Sequence, residues 1–481
     1  MKRISSRNGS ILLMFLLMAH PAWAVSPKAR PKTPPPRMEA PQVAALVDSV
    51  ISAEMAREKI PGAAFIFVQN GKVVWSRGYG MADVGRGVQV SDATIWRIGS
   101  ISKVFTATAV MQLADRGKID LDAPVDRYVK RVTIPSTYPE PVTARHLVTH
   151  TAGFDEIRPG TQAETREGVL PLPQFLEGKL VRVRPPGKTI AYSTYGITLA
   201  GDLVEEVSGL PFETYLRQNL FEPLGMTHSS LYVPDSLRGD VAVGYEYDGD
   251  SLAAQPWEWY HTTPASSVNG TLADMGQFMI AHLEGGAVGK RRILSEKASA
   301  EMKRRQITMH PSIPGYCIGF GEDFVGMQRV VEHGGNMAGF SALMVLIPEA
   351  RAGFFVVNHL EGSALRDNLK AAFLERFFPA ARERRPVPAL PPPDKVDASR
   401  FAGPYGALPS CWSCTPPRIW GKIDVTANDD GTLGFARRRW IWVDDLRFVR
   451  QDGTGYIVFR KDEKGAIHEL HAGSYWGWQK Q

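Results

Sequence analysis

Ser100 and Lys103 stand three residues apart in Gly99-Ser100-Ile101-Ser102-Lys103. A serine hydroxyl is a weak nucleophile until a neighbouring base takes its proton. A lysine held away from water beside other cations gives up its own proton readily and can serve as that base. Positions i and i+3 share one face of a helix, so a helix starting at Ser100 brings the pair together. Its N-terminus also favours the negative charge that develops in acyl transfer. Tyr192, in Ala191-Tyr192-Ser193-Thr194-Tyr195-Gly196, precedes an apolar run. Its phenol becomes a proton acceptor when a cation lies close. Glu332-His333-Gly334-Gly335-Asn336 places two glycines behind a polar residue, which lets a substrate lie along an edge strand. The backbone N–H of Asn336 then joins that of Ser100 as an oxyanion hole. Each stretch alone has a plainer reading: a serine cap with an exposed lysine, a buried aromatic, and a glycine-rich turn.

The elements that must position these groups are visible as patterns. A strand-like stretch over 94–98 ends at Gly99, and an apolar helical pattern follows Ser102. The apolar run 199–207 predicts a helix behind Tyr192. Residues 43–56 read as an amphipathic helix, followed by strands over 62–69 and 73–78. Asn70-Gly71 between them is a strong two-residue hairpin signal. Residues 342–347 and 353–358 are again strand-like. Strands at both ends with helices between them predict an α/β (α+β) sandwich, an antiparallel sheet flanked by helices with a helical insertion. Beyond a Pro- and Arg-rich break, the tail reads as all-β. Short alternating runs over 422–427, 433–436, 440–443, 456–460 and 467–471 predict a small C-terminal barrel or sandwich with no catalytic pattern of its own.

The order Ser-x-x-Lys, then a tyrosine box, then a His-Gly-Gly box resembles the serine β-lactamase and penicillin-binding-protein-like hydrolases. This superfamily includes class C β-lactamases, D-Ala-D-Ala carboxypeptidases, D-aminopeptidases and esterases. The resemblance spans residues 42–375 and is reinforced by His146-Leu147-Val148-Thr149-His150-Thr151-Ala152-Gly153-Phe154 and Phe221-Glu222-Pro223-Leu224-Gly225-Met226. It implies an acylated Ser100, with Lys103 and Tyr192 as the proton-transfer pair. His333, Gly334, Gly335, Asn336 and Thr194 then face the substrate or its oxyanion. Two positions depart from the family pattern. Thr194 stands where the tyrosine box usually has Asn, and His333 stands where β-lactamases mostly have Lys. Both features point away from efficient β-lactam hydrolysis and toward an esterase or D-peptidase. The rival readings are an inactive relative that binds cell-wall peptide and an acyltransferase using the same acyl-enzyme.

The remaining residues bound the setting. The 481 residues carry a formal charge of +6, but Lys2, Arg3 and Arg7 supply three of those charges. Short clusters such as Arg437–Arg439 are solvated faces, so no nucleic-acid partner is expected. A basic start, the apolar run 11–19 and Ala22-Trp23-Ala24 give residues 1–24 the anatomy of a signal peptide, hence a secreted or periplasmic protein. The apolar run is too short to span a bilayer, so no integral membrane segment is expected after cleavage. Residues 25–41 form a Pro-rich linker, 42–378 the hydrolase domain, 379–397 a second linker, and 398–481 the small barrel-like domain. No cofactor is expected; the partner is a small acyl substrate or cell-wall peptide. Cys411 and Cys414 suggest a local disulfide, and with His468 and His471 form a weak zinc candidate. His146 and His150, four apart, are a weaker metal pair, more simply a helix end. Trp257, Trp259, Tyr260 and His261 either line a cleft or pack a core.

Overall fold

The computed structural model describes residues 37–156, 159–390 and 396–481. The signal-peptide reading, and the linker up to residue 36, fall outside these residues. Helix α1 (Ala40–Glu58) starts inside the segment assigned to that linker, and Pro41 sits in its first turn. A proline is accommodated there because the first-turn N–H groups have no helical acceptor.

Strand β1 (Gly62–Gln69) turns into β2 (Lys72–Asp83) through Asn70 and Gly71, both at positive φ (51° and 74°). That is the conformation a tight, right-twisted hairpin needs. The short β3 (Val88–Gln89) extends this edge. Helix α2 (Ser102–Asp115), helix α3 (Thr194–Ser208) and helix α4 (Leu272–Leu283) belong to the long insertion. The chain then returns as β4 (Gly321–Val325), β5 (Gln328–Met337), β6 (Phe340–Ile347) and β7 (Ala352–His359), followed by helix α5 (Leu365–Phe377). The seven strands form one sheet in the order β4-β5-β6-β7-β1-β2-β3. The long pairings are antiparallel.

Burial on both faces explains why the central strands read as unbroken apolar runs. Ala63, Phe65 and Phe67 of β1 point into a core with Val43, Val47 and Ile51 of α1 and Leu369 and Phe373 of α5. Ala64, Ile66 and Val68 point the other way, into a core shared with α2, α3 and α4. Every residue from Ser102 to Leu113 of α2 is buried, so this helix lies inside the domain rather than on it.

The C-terminal domain is a closed antiparallel barrel of eight strands. They are β8 (Gly403–Ala407), β9 (Ile423–Ala427), β10 (Leu433–Phe435), β11 (Arg438–Asp444), β12 (Arg447–Arg450), β13 (Tyr456–Lys461), β14 (Ile467–Ala472) and β15 (Trp476–Lys480). Five are anticipated by alternation; β8, β12 and β15 are not, because Gly, Pro and Arg dilute their patterns. Barrel closure pairs β8 with β15, far apart in sequence. Cys411 and Cys414 are joined as a disulfide. This overturns the zinc candidate: both sulfurs are consumed, and His471 Nε2 is bonded to the Glu469 carboxylate at 2.9 Å. His468 and His471, three apart on β14, also point to opposite faces. Among the described residues no cluster of His, Cys, Asp and Glu has a metal-binding arrangement.

Candidate active site

Ser100 does not cap a regular helix. It sits in a 3-10 turn (Gly99–Ile101) that runs into α2 at Ser102, behind the two-residue strand Trp96–Arg97. Ser102, wholly buried, locks this turn: its hydroxyl donates to the Gly99 carbonyl at 2.6 Å and accepts from the Val268 N–H at 2.9 Å. Lys103 Nζ donates to Ser100 Oγ at 3.1 Å and to the Ala265 carbonyl at 3.0 Å. With 1% exposure, Lys103 is removed from bulk water. Its Nζ lies 4.9 Å from the centre of the Tyr192 ring. The fold therefore gathers Ser100, Lys103 and Tyr192 in one place.

The turn carrying Tyr192 is pinned from three sides. The Ser193 N–H donates to His150 Nδ1 at 3.1 Å, and Ser193 Oγ caps α3 by accepting from Gly196 N–H at 3.0 Å. The Thr194 N–H donates to both Glu156 carboxylate oxygens, at 2.9 and 3.1 Å. Thr194 thus occupies the first position of α3 beside Tyr192. A carboxylate at this end is also favoured by the helix dipole.

His333, Gly334, Gly335 and Asn336 lie within β5 rather than in a turn, paired with β6 through Met344, Leu343, Ala342 and Ser341. The glycine is required by proximity, not by backbone twist. A Cβ on Gly335 would lie 2.0 Å from the Ile98 carbonyl oxygen and 3.1 Å from Ser100 N. Only a bare backbone lets the strand reach the Ser100 turn. On the other side of this contact, a Cβ on Gly99 would meet Asn336 N at 3.1 Å. The amides of Ser100 and Asn336 are therefore neighbours, as an oxyanion hole needs.

Two histidines flank Tyr192, with ring centres 4.3 Å (His150) and 6.2 Å (His333) from its own. Burial, with Lys103 nearby, holds the His150 pKa well below its ordinary value and pushes that of His333 down to about 3. Both rings are neutral near pH 7. His150 Nδ1 accepts from an amide, so its proton sits on Nε2; His333 Nδ1 lies 2.7 Å from the Gly334 carbonyl, which only accepts, so its Nε2 is a bare acceptor. Among the described residues neither buried Nε2 has a hydrogen-bond partner. The site therefore offers one N–H and one lone pair beside Tyr192. His146, in contrast, takes part in a capping box with Thr143 at the start of the short helix Ala144–Val148.

The barrel contributes to the same place. Tyr475, in the turn between β14 and β15, donates its hydroxyl proton to the Glu332 carbonyl at 2.8 Å and accepts from the Gly321 N–H at 3.0 Å. Its ring lies 5.9 Å from that of Tyr192 and 5.6 Å from that of His333. A Cβ on Gly321 would stand 2.4 Å from the Tyr475 ring, so a glycine is needed there too. A second anchor joins Asp155 to the disulfide loop. Its carboxylate accepts from Trp412 N at 3.0 Å, Ser413 N at 2.8 Å and Ser413 Oγ at 2.6 Å. Sequence reasoning missed His150 as a neighbour of Tyr192, and missed Tyr475 entirely. For Tyr475 no local pattern existed to find; for His150 the signal was its place in the stretch ending in Gly153-Phe154.

The Beta-lactamase family matches residues 47–375 of this chain. The chain is 24% identical to Protein flp of Staphylococcus aureus (strain N315) over 318 residues, 65% of this chain and 62% of that protein. It is 28% identical to the putative penicillin-binding protein PbpX of Bacillus subtilis (strain 168) over 284 residues, 59% of this chain and 66% of that one. The chain thus spans under two thirds of the length of these relatives. The octameric penicillin-binding protein homologue from Pyrococcus abyssi shares the fold, with a TM-score of 0.60 and 23% identity, over 91% of this chain and 100% of that one.

Proposed function

Because the chain belongs to the beta-lactamase family, a family of serine hydrolases, we propose that it cleaves an ester or a D-amino-acid amide or peptide through an acyl-enzyme on Ser100. The hydrogen bond between Lys103 Nζ and Ser100 Oγ beside Tyr192 carries this reading. Ser100 Oγ attacks the substrate carbonyl while its proton passes to the Lys103–Tyr192 pair. The negative oxygen forms next to the Ser100 and Asn336 amides. As the C–O or C–N bond breaks, the pair returns the proton to the leaving alcohol or amine. Water then repeats the sequence: it gives a proton to the pair, attacks the acyl carbon and restores the Ser100 hydroxyl.

Substrate choice follows from what faces that bond. Lys at the third box would hold a carboxylate; His333, neutral with Nε2 as an acceptor, does not supply a cation. Thr194 cannot offer the amide group of an Asn. These features favour an ester, or an amide whose leaving side carries a hydrogen-bond donor, over a β-lactam whose carboxylate needs a cation at the third box. Export is part of the same reading, resting on the anatomy of residues 1–24. Among the described residues no helix is long and apolar enough to cross a membrane.

Incubation with a fluorophosphonate probe followed by intact-mass measurement tests the reaction. One adduct that disappears in Ser100→Ala is expected; labelling that survives the substitution, or none in the wild type, overturns it. A panel of p-nitrophenyl esters, D-amino-acid anilides and nitrocefin then ranks the substrates, with nitrocefin expected last.

A further inference from the structure

Trp257 and Trp259, ambiguous in the sequence, line a cavity of about 320 Å³ together with Phe340 and three arginines, Arg86, Arg97 and Arg238. No acidic residue is among its lining. Its size is at the lower end of the range for small-molecule sites, roughly 300–1,000 Å³.

Arg97 is the decisive wall. It is 4% exposed, and its guanidinium carbon lies 4.4 Å from the centre of the Trp257 ring. Among the described residues its one hydrogen bond runs from Nη2 to the Glu258 carbonyl at 2.8 Å. The Glu258 carboxylate lies 3.8 Å from Nη1, and its oxygens already accept from Gln162 Nε2 at 2.7 Å and Ala338 N at 3.2 Å. A buried guanidinium with most of its five N–H donors unused is matched by a carboxylate, which it binds in a two-pronged geometry. Arg86 and Arg238 are each paired with an aspartate, Asp83 and Asp235, and stand half-exposed at the rim. They add positive field at the mouth, and the indole and phenyl walls fit a flat or aliphatic body.

The segments that carry the reacting groups run on into the walls of the cavity. Arg97 belongs to the short strand that leads into the Ser100 turn, and Ala338 and Phe340 follow Asn336 in the chain. The Ser100 turn packs directly on Asn336 and Met337. Resting on the proposed acyl-enzyme reading, we infer that this cavity is the acyl subsite and that it selects an apolar acyl group ending in a carboxylate, with Arg97 as its specificity-determining residue.

Two measurements test the inference, the first of them independently of the reaction. Tryptophan fluorescence of the Ser100→Ala protein is titrated with 3-phenylpropionate and with its neutral counterpart 3-phenyl-1-propanol. The carboxylate is expected to bind about tenfold tighter or more, and Arg97→Met should remove that preference. Equal binding of the two probes, or a preference that survives Arg97→Met, overturns the subsite whatever the enzyme does. In the active protein, kcat/KM for the mono-p-nitrophenyl ester of glutarate is compared with that for p-nitrophenyl valerate. A preference for the glutarate ester of about tenfold, lost in Arg97→Met, is expected. No preference in the wild type overturns it. If Arg97→Met does not fold, Arg97→Lys, which keeps the charge but loses the fork, must lower the preference, and an unchanged ratio overturns the inference. Failure of Ser100 labelling defeats the acyl-enzyme reading alone, since the fluorescence titration still reports on the cavity.

Discussion

The hydroxyl of Tyr475 donates to the backbone carbonyl of Glu332, one residue before His333, across a separation of 143 residues. Through this bond the C-terminal barrel grips the strand that carries the third box. With the Asp155 anchor on the disulfide loop, it touches two segments bordering Tyr192 and His333. The barrel is thus a wall of the site and not a distant appendage.

Removing the hydroxyl in Tyr475→Phe leaves the Gly321 N–H without its acceptor and should cost about 1–3 kcal/mol. Tyr475→Ala also empties the aromatic cluster and should cost about 3–5 kcal/mol. Urea midpoints measure both. The Ala variant should also improve turnover of bulky esters relative to acetate, because it opens the site beside Tyr192; an unchanged ratio would show that the wall does not face the substrate.

Lys103→Met keeps the size of a buried chain but removes the proposed base, and should lower kcat/KM by roughly 10²–10⁴. Tyr192→Phe should fall in the same range. The double variant should lose far less than the product of the two, because the groups act as a unit. Thermal melts within a few degrees of the wild type would show that folding is not the cause.

Gly335→Ala places a Cβ against the Ile98 carbonyl and should slow fluorophosphonate labelling of Ser100 by about 100-fold, as a misplacement of about 1 Å does. Gly334→Ala is the control. Its Cβ would meet nothing nearer than the Arg366 guanidinium at 3.4 Å. Similar rates in the two variants would contradict the close approach described here.

The depressed pKa of His333 fixes the sign of an acid effect. The unfolded chain takes up a proton as pH falls through 6.5, and the folded chain refuses it until about 3. Stability present at neutral pH is therefore lost on acidification, by about 2–3 kcal/mol from this group between about pH 6.5 and 4.5. His333→Gln should flatten the denaturant midpoint against pH in that window. An equal slope in both proteins would place the proton uptake elsewhere, His150 being the next group to examine.

Sequence alone determined the pairing of Ser100 with Lys103, the tyrosine ahead of α3, the central strands and the family resemblance. These are local: a spacing of three residues, a two-residue turn at Asn70-Gly71, or an apolar run buried on both faces leaves its mark in the chain itself. The 3-10 turn at Ser100 and the strand placement of His333–Asn336 were not legible, since both follow from how closely β5 approaches Ile98. Tertiary structure alone decided which distant groups complete the site. Tyr475, the His150 lone pair accepting from Ser193, and the Arg97–Trp257 wall depend on contacts between segments 43 to 160 residues apart. No periodicity encodes such contacts, because a side chain carries no sequence mark of the surface against which it will pack.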